Sequence, residues 1–257
     1  MKLGIVITSY NNQDTLEDVI KSVADFKKKK QIYIVLVDDC STDSTIKIAN
    51  HAKKNNQIDV IHLNKKNLGV SRSRNIGINL CQNTDYVTFL DGDDFLNSRF
   101  SNIISKKKIY GDLIAFNFNY LYANKISKNN FYNRDRKLVV GDIKKYFYNY
   151  LVKPNKNSLF TTCWGKLYKT KILISGKNIY FDEKLYLCED TDFVFRFLSK
   201  SKSVQYINFP MYSHTLALGK KNFNKATFGT KLTLSHQMSF LAAVESCKKY
   251  LIKNGDD

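Results

Sequence analysis

The stretch VTFLDGDDF, residues 87–95, ends an apolar run with three carboxylates in four positions. Asp91, Asp93 and Asp94 repel one another and disfavour joint ionisation. A hard divalent cation such as Mg²⁺ or Mn²⁺ relieves that repulsion, because it binds carboxylate oxygens together with substrate phosphates. The stretch therefore predicts a metal site at the end of a strand or, more simply, a polar turn in which Asp94 caps the next helix.

The chain before this stretch alternates between short apolar runs and amphipathic segments. The apolar runs predict buried strands, and apolar residues at helical spacing predict helices between them. The predicted strands are residues 2–7, 32–37, 58–63 and 85–90, and the predicted helices are residues 14–26, 41–54 and 69–80. This alternation predicts an α/β fold with a doubly wound, mostly parallel sheet.

Polar segments follow all four predicted strands. They are TSYN (8–11), DDCSTD (38–43), NKKNLG (64–69) and DGDD (91–94). Open sheets of this kind bind ligands beyond the carboxyl ends of their strands, so the four segments are expected to converge on one rim.

The side chains of this rim suit a nucleotide. Asp38 and Asp39 can accept hydrogen bonds from a ribose or a base, and Tyr10 offers an aromatic face. Arg72 and Arg74 suit phosphate, a base or a buried carboxylate, and one of the two is expected to be structural. No Gly-x-Gly-x-x-Gly follows the first strand and no P-loop motif is present, which disfavours a dinucleotide cofactor and a P-loop enzyme. The sequence predicts a nucleotide held through its base and ribose, with its phosphates on a metal.

After residue 95 the pattern is looser. The predicted strands are residues 112–122 and 203–209, and the predicted helices are residues 143–152, 191–200 and, as one or two helices, 225–253. This half of the chain is irregular and is the expected place for contacts with an acceptor.

LYLCEDTDFVFRF (185–197) places Glu189, Asp190 and Asp192 at the start of a predicted helix. Acidic side chains stabilise a helix N-terminus, which is the structural interpretation. The functional interpretation is that one of them is the general base that transfer to a hydroxyl requires, since the first half offers none. Adjacent helical residues cannot point the same way, so one of Glu189 and Asp190 is expected to face the site and the other to hold structure or acceptor.

The composition is strongly basic. Lys and Arg number 41 against 23 Asp and Glu in 257 residues, a formal net charge of +18. An anionic membrane surface, an anionic substrate or a drift toward lysine all fit this excess. Nucleic acid is disfavoured, because no basic recognition helix, zinc finger or RNP-type strand is evident. Five scattered cysteines and the lack of an apolar leader or span predict a cytoplasmic protein, with peripheral attachment at the inner face of the cell membrane as an extension.

Six segments together resemble glycosyltransferase family 2 and its GT-A fold. They are VITSYNN (6–12), VDDCSTDST (37–45), NLGVSRSRNIGI (67–78), FLDGDDFL (89–96), WGKLYK (164–169) and CEDTDFVFRF (188–197). The resemblance implies an inverting enzyme that moves a sugar from a nucleotide-diphosphate donor, UDP first, to a glycan or lipid-linked acceptor with Mn²⁺ or Mg²⁺. It also implies a GT-A domain over residues 1–215, with a nucleotide-sugar-binding half (1–95) and an acceptor half (96–215). Residues 216–257 would be a C-terminal helical extension, with the option of a further region beyond it.

The resemblance also assigns roles by position. The residues implied to bind the nucleotide sugar are Thr8, Tyr10, Asn11, Asp39, Asn67, Arg74, Asp91 and Gly92. The implied metal ligands are Asp91 and Asp93, with Asp94 and His214 as further candidates. Asp190 would be the base with Glu189 beside it, and Trp164 would lie near the sugar or acceptor unless it is an ordinary core residue.

Three positions depart from the family pattern. Thr8 stands where many members have proline, Cys40 where glycine is frequent, and His214 where many have an arginine that reaches the diphosphate. His214 could bind the metal or be an ordinary loop histidine. Two alternatives to the transferase stay open, a metal-dependent phosphatase and a non-catalytic nucleotide-sugar- or glycan-binding half of a larger polymerase.

Overall fold

The computed structural model describes residues 1–27, 31–122, 125–129, 131–153, 159–176, 178–185, 187–216 and 234–253. The strands of this part are β1 (Leu3–Ser9), β2 (Ile32–Asp38), β3 (Val60–Leu63), β4 (Tyr86–Asp91), β5 (Phe95–Leu96), β6 (Leu113–Tyr122), β7 (Lys125–Asn129), β8 (Arg136–Leu138), β9 (Lys166–Lys169) and β10 (Val204–Thr215). Its helices are α1 (Leu16–Lys27), α2 (Thr45–Lys54), α3 (Val70–Leu80), α4 (Phe100–Lys106), α5 (Val140–Val152), α6 (Thr170–Leu173), α7 (Glu189–Leu198) and α8 (Leu234–Lys253).

One sheet runs through both halves of the chain, in the order β3-β2-β1-β4-β9-β6-β10-β5. The strands β3, β2, β1 and β4 are parallel to one another, and β6 and β10 are parallel to each other, while β9 and β5 are antiparallel to the strands they pair with. The prediction of a mostly parallel α/β sheet is therefore confirmed. Strand order reverses at β1, which lies between β2 and β4, and such a switch point is where open sheets bind ligands.

The elements of the first half follow the predicted alternation closely. The main difference is α2, which begins at Thr45 and not at residue 41. The carboxylate of Asp38 accepts the N–H of Ser41 at 2.8 Å, and the carboxylate of Asp43 accepts the N–H of Thr45 at 2.9 Å. Side-chain acceptors of this kind satisfy backbone donors outside a helix, so the residues after β2 form a loop at the rim.

The second half contains more strands than the sequence pattern indicates. The last strand was predicted to end before Pro210, but β10 continues to Thr215. Its register against β6 shifts on both sides of Pro210. A bulge accommodates a residue without an N–H, and the strand then resumes and delivers residues 212–215 to the end of β4.

An aromatic cluster fixes α7 against the centre of the sheet. Phe193 of α7 stacks on Phe181 at a centroid distance of 3.9 Å and meets Phe89 of β4 edge-on at 5.8 Å. Tyr168 of β9 meets Phe193 at 5.3 Å. Because such pairs are directional and fully buried, they hold the acidic start of α7 close to the end of β4.

Helix α3 lies unusually close to β1. A Cβ atom added at Gly77 would lie 2.1 Å from Cγ1 of Val6, a separation that only glycine permits. The helix therefore uses glycine to approach the strand, and Arg74 lies almost one turn earlier on the same helix face.

Helix α8 packs on α7, where Ser246 donates to the carboxylate of Asp192 at 2.6 Å. Asp192 also pairs with Arg196 of its own helix, so its role is structural. The predicted helix over 225–253 is found as Leu234–Lys253, and residues 225–233 lie outside the described part. Among the helices of the described part, none combines the length and apolar character needed to cross a membrane.

Candidate active site

The carboxylate cluster lies at the switch point, as the strand-end argument predicts. Thr8, near the end of β1, donates its hydroxyl to Oδ1 of Asp91, the last residue of β4, at 3.2 Å. Gly92 follows, and a Cβ there would lie 2.6 Å from Oδ1 of Asn12 and 2.9 Å from the Thr8 carbonyl oxygen. Gly92 is thus required for the close approach of the two strand ends, and its contact with the nucleotide sugar stays a prediction.

Arg74 joins the two acidic motifs. One guanidinium nitrogen, Nη2, donates to Oδ1 of Asp91 at 3.0 Å, and Nη1 donates to Oδ1 of Asp190 at 2.7 Å and lies 3.6 Å from Oε1 of Glu189. Its side chain is only 5% exposed. Burial lowers the pKa of this guanidinium, but the surrounding charges, Asp190 first, raise it well above its ordinary value. Of the roles left open by the sequence, the structure places Arg74 on the carboxylates of Asp91 and Asp190, and its role near the base stays a prediction.

Asp190 is held from a second side by the loop of residues 161–165, called here the Cys163 loop. The backbone N–H of Cys163 donates to Oδ2 of Asp190 at 2.9 Å, while Arg74 takes Oδ1. Each carboxylate oxygen has two lone pairs, so Asp190 keeps acceptor capacity for a hydroxyl proton. Its side chain is 16% exposed, which leaves it reachable from the rim.

Glu189 occupies a different environment although it is adjacent in sequence. Burial raises the pKa of Glu189 to about 7, the charge of Asp190 adds to the rise, and Arg74 opposes it. Both carboxyl groups lie near Nη1 of Arg74, and which of the two faces the substrate stays a prediction. Asp190 is fixed by two donors, Nη1 of Arg74 and the N–H of Cys163.

Asp94, in the segment that follows β4, is buried, with 1% of its surface exposed. It accepts three hydrogen bonds from β10: from the hydroxyl of Tyr212 at 2.6 Å, from Nδ1 of His214 at 3.0 Å and from the N–H of Thr215 at 2.6 Å. These contacts tie β10 to the end of β4. They also favour Asp93 over Asp94 as a metal ligand, although the ligand role of Asp94 stays a prediction.

Trp164 is 6% exposed and lies in an aromatic stack. It is parallel to Tyr212 at 4.6 Å and to the His214 ring at 5.4 Å. Burial lowers the pKa of His214, but the hydrogen bond to Asp94 and the nearby carboxylates outweigh it and raise the pKa overall. Trp164 therefore packs against one face of the His214 ring, and its contact with sugar or acceptor stays a prediction.

The oxygen donors at this strand end fit a divalent cation whose remaining coordination positions are filled by phosphate oxygens of the substrate. Asp93 is exposed and Asp91 is 25% exposed, both at the strand end. Within the described residues no three His, Cys, Asp or Glu side chains form a ready cage for a metal. Mg²⁺ and Mn²⁺ are commonly held by one or two carboxylates plus phosphate oxygens, so this set is adequate. The bond from His214 Nδ1 to Asp94 resembles the outer partner of a metal-binding histidine, which leaves Nε2 for ligation.

Asp39 organises the neighbouring loop. It is 4% exposed, and its carboxylate accepts the side-chain amide of Asn64 at 2.7 Å and the N–H groups of Leu68 and Gly69 at 2.8 Å each. Asn67 is exposed on that loop. Asp39 thus shapes the loop that carries Asn67, and direct contact of either with a nucleoside stays a prediction.

The remaining predicted residues line the rim between β1 and β2. Tyr10 is 48% exposed, which suits base stacking. Asn11 has a left-handed backbone (φ 51°), and its side chain accepts the N–H of Thr42 at 2.8 Å. Cys40 also has a left-handed backbone (φ 68°), which explains why glycine is frequent at this position in the family that the sequence resembles.

Sequence reasoning missed three contributors to the site. The N–H of Cys163 holds Asp190, the hydroxyl of Tyr212 holds Asp94, and the buried side-chain nitrogen of Lys166 holds the Cys163 loop. The segment WGKLYK contains Lys166, but sequence alone does not show that this lysine is buried. A backbone donor carries no sequence signal at all.

A family model for glycosyl transferase family 2 matches residues 4–177 of this chain. That is well over half of the 257 residues. The chain belongs to glycosyltransferase family 2, and its fold is the GT-A fold of that family, as the sequence motifs indicated.

Two curated relatives are glycosyltransferases by name. Glycosyltransferase GlyA of Streptococcus pneumoniae is 26% identical over 239 residues, covering 85% of this chain and 31% of the relative. The poly(ribitol-phosphate) β-N-acetylglucosaminyltransferase TarS of Staphylococcus aureus is 23% identical over 200 residues, covering 76% of this chain and 32% of TarS. The chain spans about a third of the length of these relatives.

Solved structures show the same fold. S. aureus TarS in complex with UDP-GlcNAc has a TM-score of 0.73 at 20% identity, covering 95% of this chain and 66% of that chain. Glucosyl-3-phosphoglycerate synthase from Mycobacterium tuberculosis, in complex with Mn²⁺, UDP and glucosyl-3-phosphoglycerate, has a TM-score of 0.60 at 12% identity, covering 96% and 80%.

Proposed function

We propose that this protein is a metal-dependent, inverting glycosyltransferase that moves a sugar from a UDP-sugar to a hydroxyl of a glycan or lipid-linked acceptor. The observation that carries the proposal is the placement of Asp91 and Asp190 on the two Nη atoms of one buried arginine. This brings the acidic loop of β4 and the acidic start of α7 to one point at the switch of the sheet. A donor phosphate and an acceptor hydroxyl must meet at such a point for transfer to occur.

In the proposed reaction Asp190 takes the proton of the acceptor hydroxyl. The hydroxyl oxygen forms a bond to the anomeric carbon on the face opposite the diphosphate, and the carbon–oxygen bond to the diphosphate breaks and leaves its electron pair on the phosphate. Arg74 and the N–H of Cys163 hold Asp190 in one orientation, which is what a general base needs. A single displacement of this kind inverts the anomeric centre.

Asp91 and Asp93 would hold the metal ion, with His214 as a third protein ligand. A bound Mn²⁺ or Mg²⁺ would neutralise charge on the leaving diphosphate, so no dedicated acid is needed there. The bound Mn²⁺ of the M. tuberculosis synthase supports a divalent metal in this fold. The donor-binding role is assigned to Tyr10, Asp39, Asn67 and their neighbours on the rim, and UDP is supported by the UDP-sugar complex of TarS.

The basic surface supports an anionic acceptor. The formal net charge is +18, and TarS, by name, acts on poly(ribitol-phosphate), an anionic polymer. We therefore propose a phosphate-rich or lipid-linked surface glycan as acceptor, and a cytoplasmic protein that binds the inner face of the membrane through charge. Binding to anionic vesicles at low salt, lost at high salt, is the expected result, and no binding at low salt contradicts the membrane part.

The test of the transferase is a comparison of Asp190→Asn with Asp182→Asn, a surface control eight residues earlier. Wild type and the control should release UDP from a UDP-sugar in an acceptor- and Mn²⁺-dependent manner. Asp190→Asn should lose this release while UDP with Mn²⁺ still raises its melting temperature. Loss of UDP binding with retained turnover would overturn the assignment of Asp190.

The same assay separates the two alternatives. UDP binding without release of UDP from any donor points to the non-catalytic binding half. Release of inorganic phosphate from a phosphomonoester points to the phosphatase, which the family match disfavours.

A further inference from the structure

Lys166 is a buried lysine that the reaction scheme above does not use. It lies at the start of β9 and is 2% exposed. Its side-chain nitrogen Nζ donates to the carbonyl oxygen of Thr162 at 2.6 Å, to the Thr162 hydroxyl at 3.2 Å and to the carbonyl oxygen of Trp164 at 3.1 Å. A lysine is rarely buried to this extent unless its charge is matched by acceptors.

All three acceptors belong to the Cys163 loop, the loop that holds Asp190. Every carbonyl oxygen of this loop accepts a hydrogen bond. Lys166 donates to the carbonyls of residues 162 and 164. The carbonyls of residues 161, 163 and 165 accept from the Thr191 hydroxyl, the Tyr168 hydroxyl and the Phe116 N–H, respectively. Lys166 therefore supplies the donor for two of the five carbonyls, on either side of Cys163.

The orientation of the carbonyls fixes the direction of the remaining N–H. The carbonyl of Thr162 and the N–H of Cys163 belong to one planar trans peptide and point in opposite directions. With the Thr162 oxygen held by Lys166, the N–H of Cys163 is directed at Oδ2 of Asp190, 2.9 Å away. Gly165, with a left-handed backbone (φ 66°), turns the chain from the loop into β9 and so returns it to Lys166.

We infer that Lys166 is a positioning residue of the active site: its buried side-chain nitrogen sets the Cys163 loop, and the loop orients the general base Asp190. This inference rests on the proposed function, since it concerns the reaction that Asp190 serves. Lys166 acts through the loop and not on the substrate, so it should affect turnover and leave binding of the donor unchanged.

The chain has an optical reporter in this loop. Trp164 is its only tryptophan, its carbonyl accepts from Lys166, and its ring stacks on Tyr212 and His214. Tryptophan emission therefore reports on the loop whether or not the protein turns over substrate.

The experiment compares Lys166→Met with Lys169→Met. Lys169 lies three residues later in the same strand, but its side chain is 41% exposed and pairs with Asp112. Lys166→Met is expected to lower kcat about 10- to 100-fold with the KM for the UDP-sugar changed less than about 3-fold, because small displacements of a catalytic group have effects of this size. It should also shift the emission of Trp164, whereas Lys169→Met should change neither.

A second variant covers the case in which Lys166→Met does not fold. Gly165→Ala has room for its methyl group, since the nearest atom would be Cβ of Tyr212 at 3.8 Å, but the left-handed backbone is strained for alanine. It should fold, shift the Trp164 emission and lower kcat with little change in KM.

The outcomes distinguish the inference from the function on which it rests. Wild-type kcat and unchanged Trp164 emission in both Lys166→Met and Gly165→Ala overturn the role of Lys166 and leave the transferase standing. If the wild-type protein releases no UDP from any UDP-sugar, the proposed function fails, and the emission shift alone still tests whether Lys166 sets the loop.

Discussion

Asp94→Asn distinguishes a buried structural carboxylate from a metal ligand. The carboxylate accepts from Tyr212, His214 and Thr215, and asparagine keeps one oxygen, enough for the Thr215 N–H. The two other donors lose a charged acceptor. A hydrogen bond to a charged group stabilises by about 1.5–3 kcal/mol and a neutral one by about 1, so we expect a loss of roughly 2–3 kcal/mol in the free energy of unfolding.

The assay is urea unfolding at pH 8 in EDTA, which removes any contribution from bound metal. The matched control is Asp93→Asn, since Asp93 is exposed on the same loop and is expected to change the unfolding free energy by less than about 0.5 kcal/mol. Asp93→Asn should instead abolish the rise in melting temperature that Mn²⁺ with UDP gives. Tyr212→Phe combined with Asp94→Asn should cost less than the sum of the two, because they share one hydrogen bond.

The reasoning is wrong if Asp94→Asn unfolds at the wild-type urea concentration in EDTA and loses the response to Mn²⁺ with UDP. Asp94 would then be the ligand and its contacts with β10 would contribute little. Wild-type response to Mn²⁺ in Asp93→Asn would lead to the same conclusion from the other side.

Three further predictions concern stability, each read from urea unfolding. Gly77→Ala should destabilise by about 1–2 kcal/mol because its Cβ would meet Val6, whereas Gly141→Ala, with open space around it, should be neutral or stabilising by up to about 1 kcal/mol; equal effects contradict the close packing. Burial lowers the pKa of Lys166 to about 7, so above pH 7 the unfolded chain holds a proton on this side chain that the folded chain has released. The contribution of Lys166 to the unfolding free energy therefore rises with pH by up to about 1.4 kcal/mol per pH unit. The difference in unfolding free energy between wild type and Lys166→Met should change with pH between about pH 7 and 9, and parallel curves refute this. Cys40→Gly should raise the unfolding free energy by about 0.5 kcal/mol and Cys40→Val lower it by more than about 1 kcal/mol, since φ at residue 40 is 68°; the reverse order would show that the left-handed backbone is not what limits this position.

The sequence predicted the first half of the fold well, because its signals are local. Buried apolar runs such as Ile5–Ile7 and Ile34–Val37 mark parallel strands, and the rule for strand ends then places Thr8, Asp39 and Asp91 on one rim. Because this rule places the ends of parallel strands at one edge, it also predicts that the motifs following these strands form a single site. The sequence pattern does not show that the two halves of the chain share one sheet, and without that knowledge the closeness of Asp91 and Asp190 cannot be predicted.

The rest of the site depends on distant partners. Asp94 meets donors that lie 118 to 121 residues later, beyond the bulge at Pro210, so its burial has no local signal. Arg74 could be read as a ligand for phosphate, base or carboxylate, and only the positions of α3 and α7 decide among them. Lys166 looks like a surface lysine in sequence, because its burial is set by the path of the loop that surrounds it.

The closeness of α3 to β1 has a consequence for how this active site can vary. Gly77 sets the distance between helix and sheet, and Arg74, on the same face of the helix, spans from there to Asp91 and Asp190. The length of an arginine side chain is fixed, so any side chain that widens the helix–sheet spacing withdraws the guanidinium from one carboxylate or the other. A methyl group added at Gly77 would then change the pairing of charges at the candidate active site. Substitutions in the core under α3 and substitutions of Arg74 should therefore affect the same contacts, those of the guanidinium with Asp91 and Asp190.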